Sequence, residues 1–162
     1  MKKRTMLALS ASHFLAVGIG FAAGIYLLPI LIAPPSPDRA TVEQAAEKSE
    51  FVGTFSRDRK DSDALHWGDG ELSIGPEVVS FIGKLAPGPD YRLYFSPQFV
   101  ETAADFKRLK STMVEVGDVK TFENFVVPLR DNIEPAKYSA AIVWCESFGQ
   151  FITSASYQEK PR

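Results

Sequence analysis

An all-β fold is predicted: a single small β-sandwich or barrel-like domain preceded by one N-terminal transmembrane helix. Three observations carry this. From Phe51 onward, short runs rich in Val, Ile, Phe and Tyr are separated by Gly, Pro and Asp, the pattern of strands and turns. Helical stripes are nearly absent from that region, so a parallel α/β sheet lacks the crossover helices it requires. Before it, Thr5 to Ala33 carries no formal charge and exceeds the roughly 20 residues that cross a bilayer. The composition, 45% hydrophobic and 23% charged over 162 residues, suits one globular unit. The chain divides into 1–33, a cytoplasmic tip and membrane anchor, 34–50, a proline-rich linker, and 51–158, the β domain.

The apolar segment is too long for a cleavable signal, whose core runs to about 15 residues. Pro34 and Pro35 also disfavour cleavage after Ala33, and Ala22 and Ala23 are the weaker alternative site. Lys2, Lys3 and Arg4 precede the segment. The positive-inside rule keeps them in the cytoplasm and sends everything after Pro34 to the outer side, in the envelope or periplasm. Residues 5–33 thus have the lipid bilayer as their partner. His13 stands near the inner end of the span, where a small tilt brings it to the headgroups. Gly20 and Gly24 form a small-x-x-x-small pair, a weak pointer to helix association.

The linker "PPSPDRATVEQAAEKSE" begins as a stiff proline stretch and continues as a charged segment that reads as a spacer or a short helix, with Asp38 or Thr41 as its cap. In the β domain, "FVGTF" sets Phe51, Gly53 and Phe55 on one face, and "ELSI" sets Leu72 beside Ile74. "EVVSFIG" is apolar on both faces. Tyr91, Leu93 and Phe95 alternate with Arg92 and Tyr94, as in a half-buried strand. "ETAADFKRLKS" is the exception, with Phe106, Leu109 and Met113 at helical spacing. Phe125, Val127 and Leu129 share a face, and Pro128 pushes their strand to a sheet edge. In "YSAAIVWC" both faces are mostly apolar, as in a central strand. "FGQFITSASY" returns from it through a very short connection at Glu146 and Ser147.

Charge and motif content exclude several functions. Of the 18 Lys and Arg residues three precede the apolar segment, while all 20 acidic residues follow it. The outer part is therefore acidic and without a basic cluster, so nucleic acid is not a partner. One cysteine makes no internal disulfide. Cys145 with His66 falls short of a zinc or blue-copper ligand set, so no metal site is predicted. C-x-x-C-H, G-x-S-x-G and phosphate-binding glycine loops are absent. What remains is Cys145, which is either a buried small hydrophobe or a reactive group. Glu146 beside it opposes thiolate formation. His66 in "LHWGDGEL" precedes glycines that read as a tight turn.

The succession "FVGTF", "LHWGDGELSI", "PGPDYRLYF" and "LRDNIEPAKYSAAIVWCESFGQFITSASY" resembles the DM13 domain, a small extracytoplasmic β-rich module, from about Phe51 to Tyr157. Its most specific elements are the turn at Gly88, Pro89 and Asp90 leading into a strand, and Trp144-Cys145 before a Phe-rich final strand. The resemblance implies a redox or electron-transfer role in which Cys145 is a naked thiol or a ligand to a prosthetic group such as haem. His66 would be the second cofactor-binding residue, and an envelope or redox protein the partner. The competing expectation is a non-catalytic binding or adhesion module that uses the exposed aromatics Trp67, Tyr91 and Tyr94. Whether the domain is an enzyme stays open at this point.

Overall fold

The computed structural model describes residues 3–159. Met1 and Lys2, part of the predicted cytoplasmic tip, lie outside them. Helix α1 (Lys3–Ile32) is continuous over 30 residues, about 45 Å at roughly 1.5 Å per residue. By length and composition it is capable of crossing a membrane. Helix α2 (Arg39–Ala46) is capped by Asp38, whose side chain accepts the Thr41 N–H at 2.8 Å; Thr41 therefore lies inside the helix, not at its cap. Val42 is buried, and α2 packs on the third and sixth strands. The helical half of the predicted linker is thus a docked element, because burial of Val42 holds it down.

Eight strands follow: β1 (Phe51–Phe55), β2 (Gly68–Ile74), β3 (Val78–Leu85), β4 (Tyr91–Ser96), β5 (Val114–Val119), β6 (Phe125–Pro128), β7 (Ala140–Cys145) and β8 (Gln150–Glu159), with α3 (Ala103–Leu109) between β4 and β5. They form one antiparallel sheet in the order β5-β4-β7-β8-β1-β2-β3-β6. The sheet curls until its two edges, β5 and β6, lie side by side in a nearly closed barrel. Thr41 and Ala45 of α2 lie over that seam, facing Gly117 and Val127 across a depression. An edge strand left bare is a template for unwanted pairing, and here a helix packs on the β6 side of the seam. Pro128 ends β6, the edge position predicted for it.

The barrel interior is filled by alternating residues: Phe55, Leu72, Ile74, Phe81, Leu93, Phe95, Phe125, Val143 and Ile152 among them. A second, smaller core lies outside the wall, where α3 lays Phe106 over Tyr94, Ile142, Trp144 and Phe151. The two faces of β7 serve the two cores, so all six of its residues are buried, as a central strand with two apolar faces requires. Tyr94, read as the outward partner of a half-buried strand, is only 5% exposed, because α3 closes over it.

Two other expectations are corrected. The glycines after His66 belong to β2 rather than to a turn. A Cβ at Gly70 would stand 2.3 Å from Ile82 O, and one at Gly83, its cross-strand partner, 2.2 Å from Asp69 O. Gly70 also has φ +147°. These glycines allow two backbones and the Phe81 ring to come together. Next, the β7–β8 connection takes four residues, Glu146–Gly149, with Gly149 at φ +60°. In β5 the ladder shifts register opposite Leu93 and Tyr94, a bulge that breaks the period of two.

Candidate functional site

Antiparallel order puts four connections at one end of the barrel: β1–β2, β3–β4, β5–β6 and β7–β8. The first brings His66 there, the second the Gly88-Pro89-Asp90 turn, and the last follows directly on Cys145. A cavity of about 270 Å³ opens at this end, and both Cys145 and His66 line it, together with Tyr91, Pro89 and Phe148. The two residues predicted as a pair are therefore gathered into one pocket. The wider depressions over the seam and beside β1 and β8 are lined by neither Cys nor His.

Cys145 ends β7 on the inner face and is 2% exposed. Burial pushes its thiol above the ordinary value, while the backbone amides of Phe148, Asp90 and Ser147 pull it the other way without prevailing. The resting group is a protonated thiol whose sulfur faces the amides of the β7–β8 turn. That turn is fixed by Gly149 N–H donating to Glu146 O at 3.3 Å and Glu146 N–H donating to Asp90 O at 3.0 Å. Alkylation by iodoacetamide is expected to be slow and to keep accelerating with pH above about 8.5, where an ordinary free thiol is already mostly ionised. A rate that levels off below that pH, read by mass spectrometry, contradicts the assignment.

His66 is oriented by Asp63, a residue that the sequence reading passed over. The imidazole Nδ1 lies 2.9 Å and 3.0 Å from the two carboxylate oxygens, and Asp63 Oδ1 also accepts the backbone N–H groups of Leu65 and His66. The hydrogen bond from His66 holds the Asp63 carboxyl below its usual range. With Nδ1–H given to Asp63, Nε2 is the basic nitrogen, an arrangement that fixes the tautomer. The Asp-x-x-His spacing is the only signal of it in the sequence.

Glu146, expected to disfavour the thiolate, points elsewhere. Its carboxylate takes Lys110 Nζ at 2.7 Å and 2.8 Å and the Tyr94 hydroxyl. Burial raises its pKa, but the bonds from Lys110 and Tyr94 outweigh that and hold it below the usual value. Of the aromatics predicted to be exposed, Tyr91 is 4% and Tyr94 5% exposed. Tyr91 donates its hydroxyl to Ala86 O at 2.8 Å. Trp67 is half-buried with the Arg57 guanidinium 3.2 Å above its ring. The three do not make one exposed binding face.

Among families of known domains, the model described as "Electron transfer DM13" matches residues 54–157. No curated protein and no solved structure matches the chain. The matched stretch runs from the last two residues of β1 to Tyr157 in β8 and contains both Cys145 and His66.

Proposed function

The chain belongs to the DM13 family, described by electron transfer, and on that footing we propose that its redox group is the Cys145 thiol, in a domain held on the outer face of a membrane by α1. The observation that carries this is that one pocket is lined by both Cys145, at the end of β7, and His66, in the β1–β2 connection. Burial of the sulfur hinders bond-forming attack by bulky disulfides, whereas an electron needs only proximity. The step is a one-electron exchange. A strongly oxidising metal centre or amino-acid radical of a partner protein takes an electron from the thiol and is itself reduced, the S–H bond breaks, and the proton passes to His66 Nε2 or to water, leaving a thiyl radical. Return of one electron and one proton restores the thiol.

Haem as a resident group does not fit this pocket. The cavity, about 270 Å³, lies below the roughly 300–1,000 Å³ of sites that enclose even a drug-sized ligand, and a porphyrin is larger. Among the described residues no group of three or more His, Cys, Asp and Glu is gathered to hold a metal ion. Cys145 and His66 are therefore assigned to thiol chemistry and proton acceptance, with no step through a bound macrocycle. The binding-module alternative is weakened by the burial of Tyr91 and Tyr94.

The test is an oxidative titration of the full chain in detergent with a strong outer-sphere one-electron oxidant, with spin trapping of the product. One equivalent per chain and a sulfur-centred adduct are expected, both lost in Cys145→Ser, and slower oxidation in His66→Gln. An unchanged titration in Cys145→Ser overturns the thiol assignment. A stoichiometric Soret band lost in the same variant would replace it with haem ligation.

A further inference from the structure

We propose that the barrel sits directly on the bilayer, with Leu65 and Phe148 inserted among the lipids, so that the Cys145 cavity opens at the membrane surface. This rests on the reading of α1 as a membrane span. The first support is where the anchor leaves the barrel. Asn124, in the β5–β6 connection, donates from Nδ2 to Pro37 O at 3.3 Å, which pins the end of the proline segment at the pocket end. Only residues 33–37 lie between that point and α1, a reach of at most about 18 Å. The membrane is therefore close to the end that carries Cys145 and far from the β2–β3 and β6–β7 connections.

The second support is the excess length of α1. About 20 residues cross the hydrocarbon core, so a span counted from Thr5 is complete near Gly24. One side of the remaining turns faces the barrel: Pro29 is buried, it borders a depression also lined by Pro89 and Phe122, and Ala22, Ile25 and Tyr26 form the helical wall of the Cys145 cavity. The cavity rim is thereby level with the point where α1 enters the lipid, and Tyr26 is at the depth that amphipathic aromatics favour.

The third support is the surface itself. Outside α1, the exposed large hydrophobics among the described residues are Leu65, Phe99 and Phe148. Two of these three, Leu65 and Phe148, border this cavity, on separate connections. Charges near the rim are of both signs and largely matched, as in Lys84 with Glu123 and Lys120 with Asp118. The attraction is accordingly apolar, and a bilayer entered by α1 is the occupant already adjacent to both side chains.

The experiment places one nitroxide per chain in the full protein reconstituted in phosphatidylcholine–phosphatidylglycerol nanodiscs. Labels go, all in the Cys145→Ser background, on Leu65→Cys, on Phe148→Cys, on Asp131→Cys at the far end, and on Leu15→Cys within α1. Collision with oxygen relative to a nickel chelate reports depth. Labels at 65 and 148 are expected to give a ratio several-fold above that at 131 and to approach that at 15. A lipid-like label at 15 with water-like labels at 65 and 148 overturns the docking while leaving the membrane span intact. A water-like label at 15 overturns the span, and the docking with it.

Discussion

Gly83→Ala is expected to destabilise the domain by about 3 kcal/mol, the upper end of what overpacking costs when neighbours cannot yield, and to lower Tm by about 10 °C. The new Cβ would meet Asp69 O at 2.2 Å, Phe81 Cζ at 2.5 Å and Gly70 Cα at 2.7 Å. Two of these are backbone atoms of β2, so relief requires parting the β2–β3 ladder rather than turning a side chain. The Phe81 ring is fully buried and stacks on Phe125 at 4.8 Å, which blocks the remaining escape. Gly117→Ala is the matched control. Its Cβ would meet only Val127 Cγ1, at 3.0 Å, and a small loss is expected. Thermal unfolding followed by circular dichroism compares the two, and equal losses would refute the role assigned to the Gly70–Gly83 pair.

Phe106→Ala is expected to cost about 3–5 kcal/mol, as for other fully buried Phe truncations. The ring is 0% exposed, stacked on Trp144 at 3.9 Å and edge-on to Tyr94 at 5.1 Å, and it is the main apolar tie between α3 and the barrel wall. Its loss acts on the site as well as on stability. Lys110 follows α3 directly and holds Glu146, the residue after Cys145. With α3 loosened, Trp144 emission should shift to the red and Cys145 should alkylate faster. A variant of reduced Tm with unchanged emission would mean that α3 stays docked without Phe106.

Much of the barrel was legible because its strands obey a period of two. Tyr91, Leu93 and Phe95 point inward, and the doubly apolar "AAIVWC" is a strand buried on both faces. The segment from Ala103 betrayed its helix by Phe106 and Leu109. Legibility failed where the physics is non-local. Gly68 and Gly70 look the same in a turn as in a crowded ladder, and only the approach of Thr153 and Ile82 tells them apart. The bulge in β5 erased its alternation. Burial of Tyr94 depends on α3 folding back, which no local pattern encodes.

The pocket itself was half legible. Cys145 and His66 could be named by elimination and resemblance, since few other chemical groups were on offer. Their meeting depends on the path of the long β1–β2 connection, whose Asp61 is bonded beside α3 before Leu65 and His66 reach the pocket, a path that periodicity does not specify. Asp63 went unnoticed because an Asp in a polar loop is ordinary until a histidine turns its ring toward it.

The helix over the seam bears on where the protein can be cut. A fragment begun at Phe51 would contain everything that the family model matches, yet it would shed Val42 from its seat and uncover the β6 margin on which α2 packs, beside β5. An open backbone margin on a small barrel invites copies to zip together, end on end. Solubility of a shortened protein is therefore decided fourteen residues upstream of its first strand, at the proline that Asn124 grips.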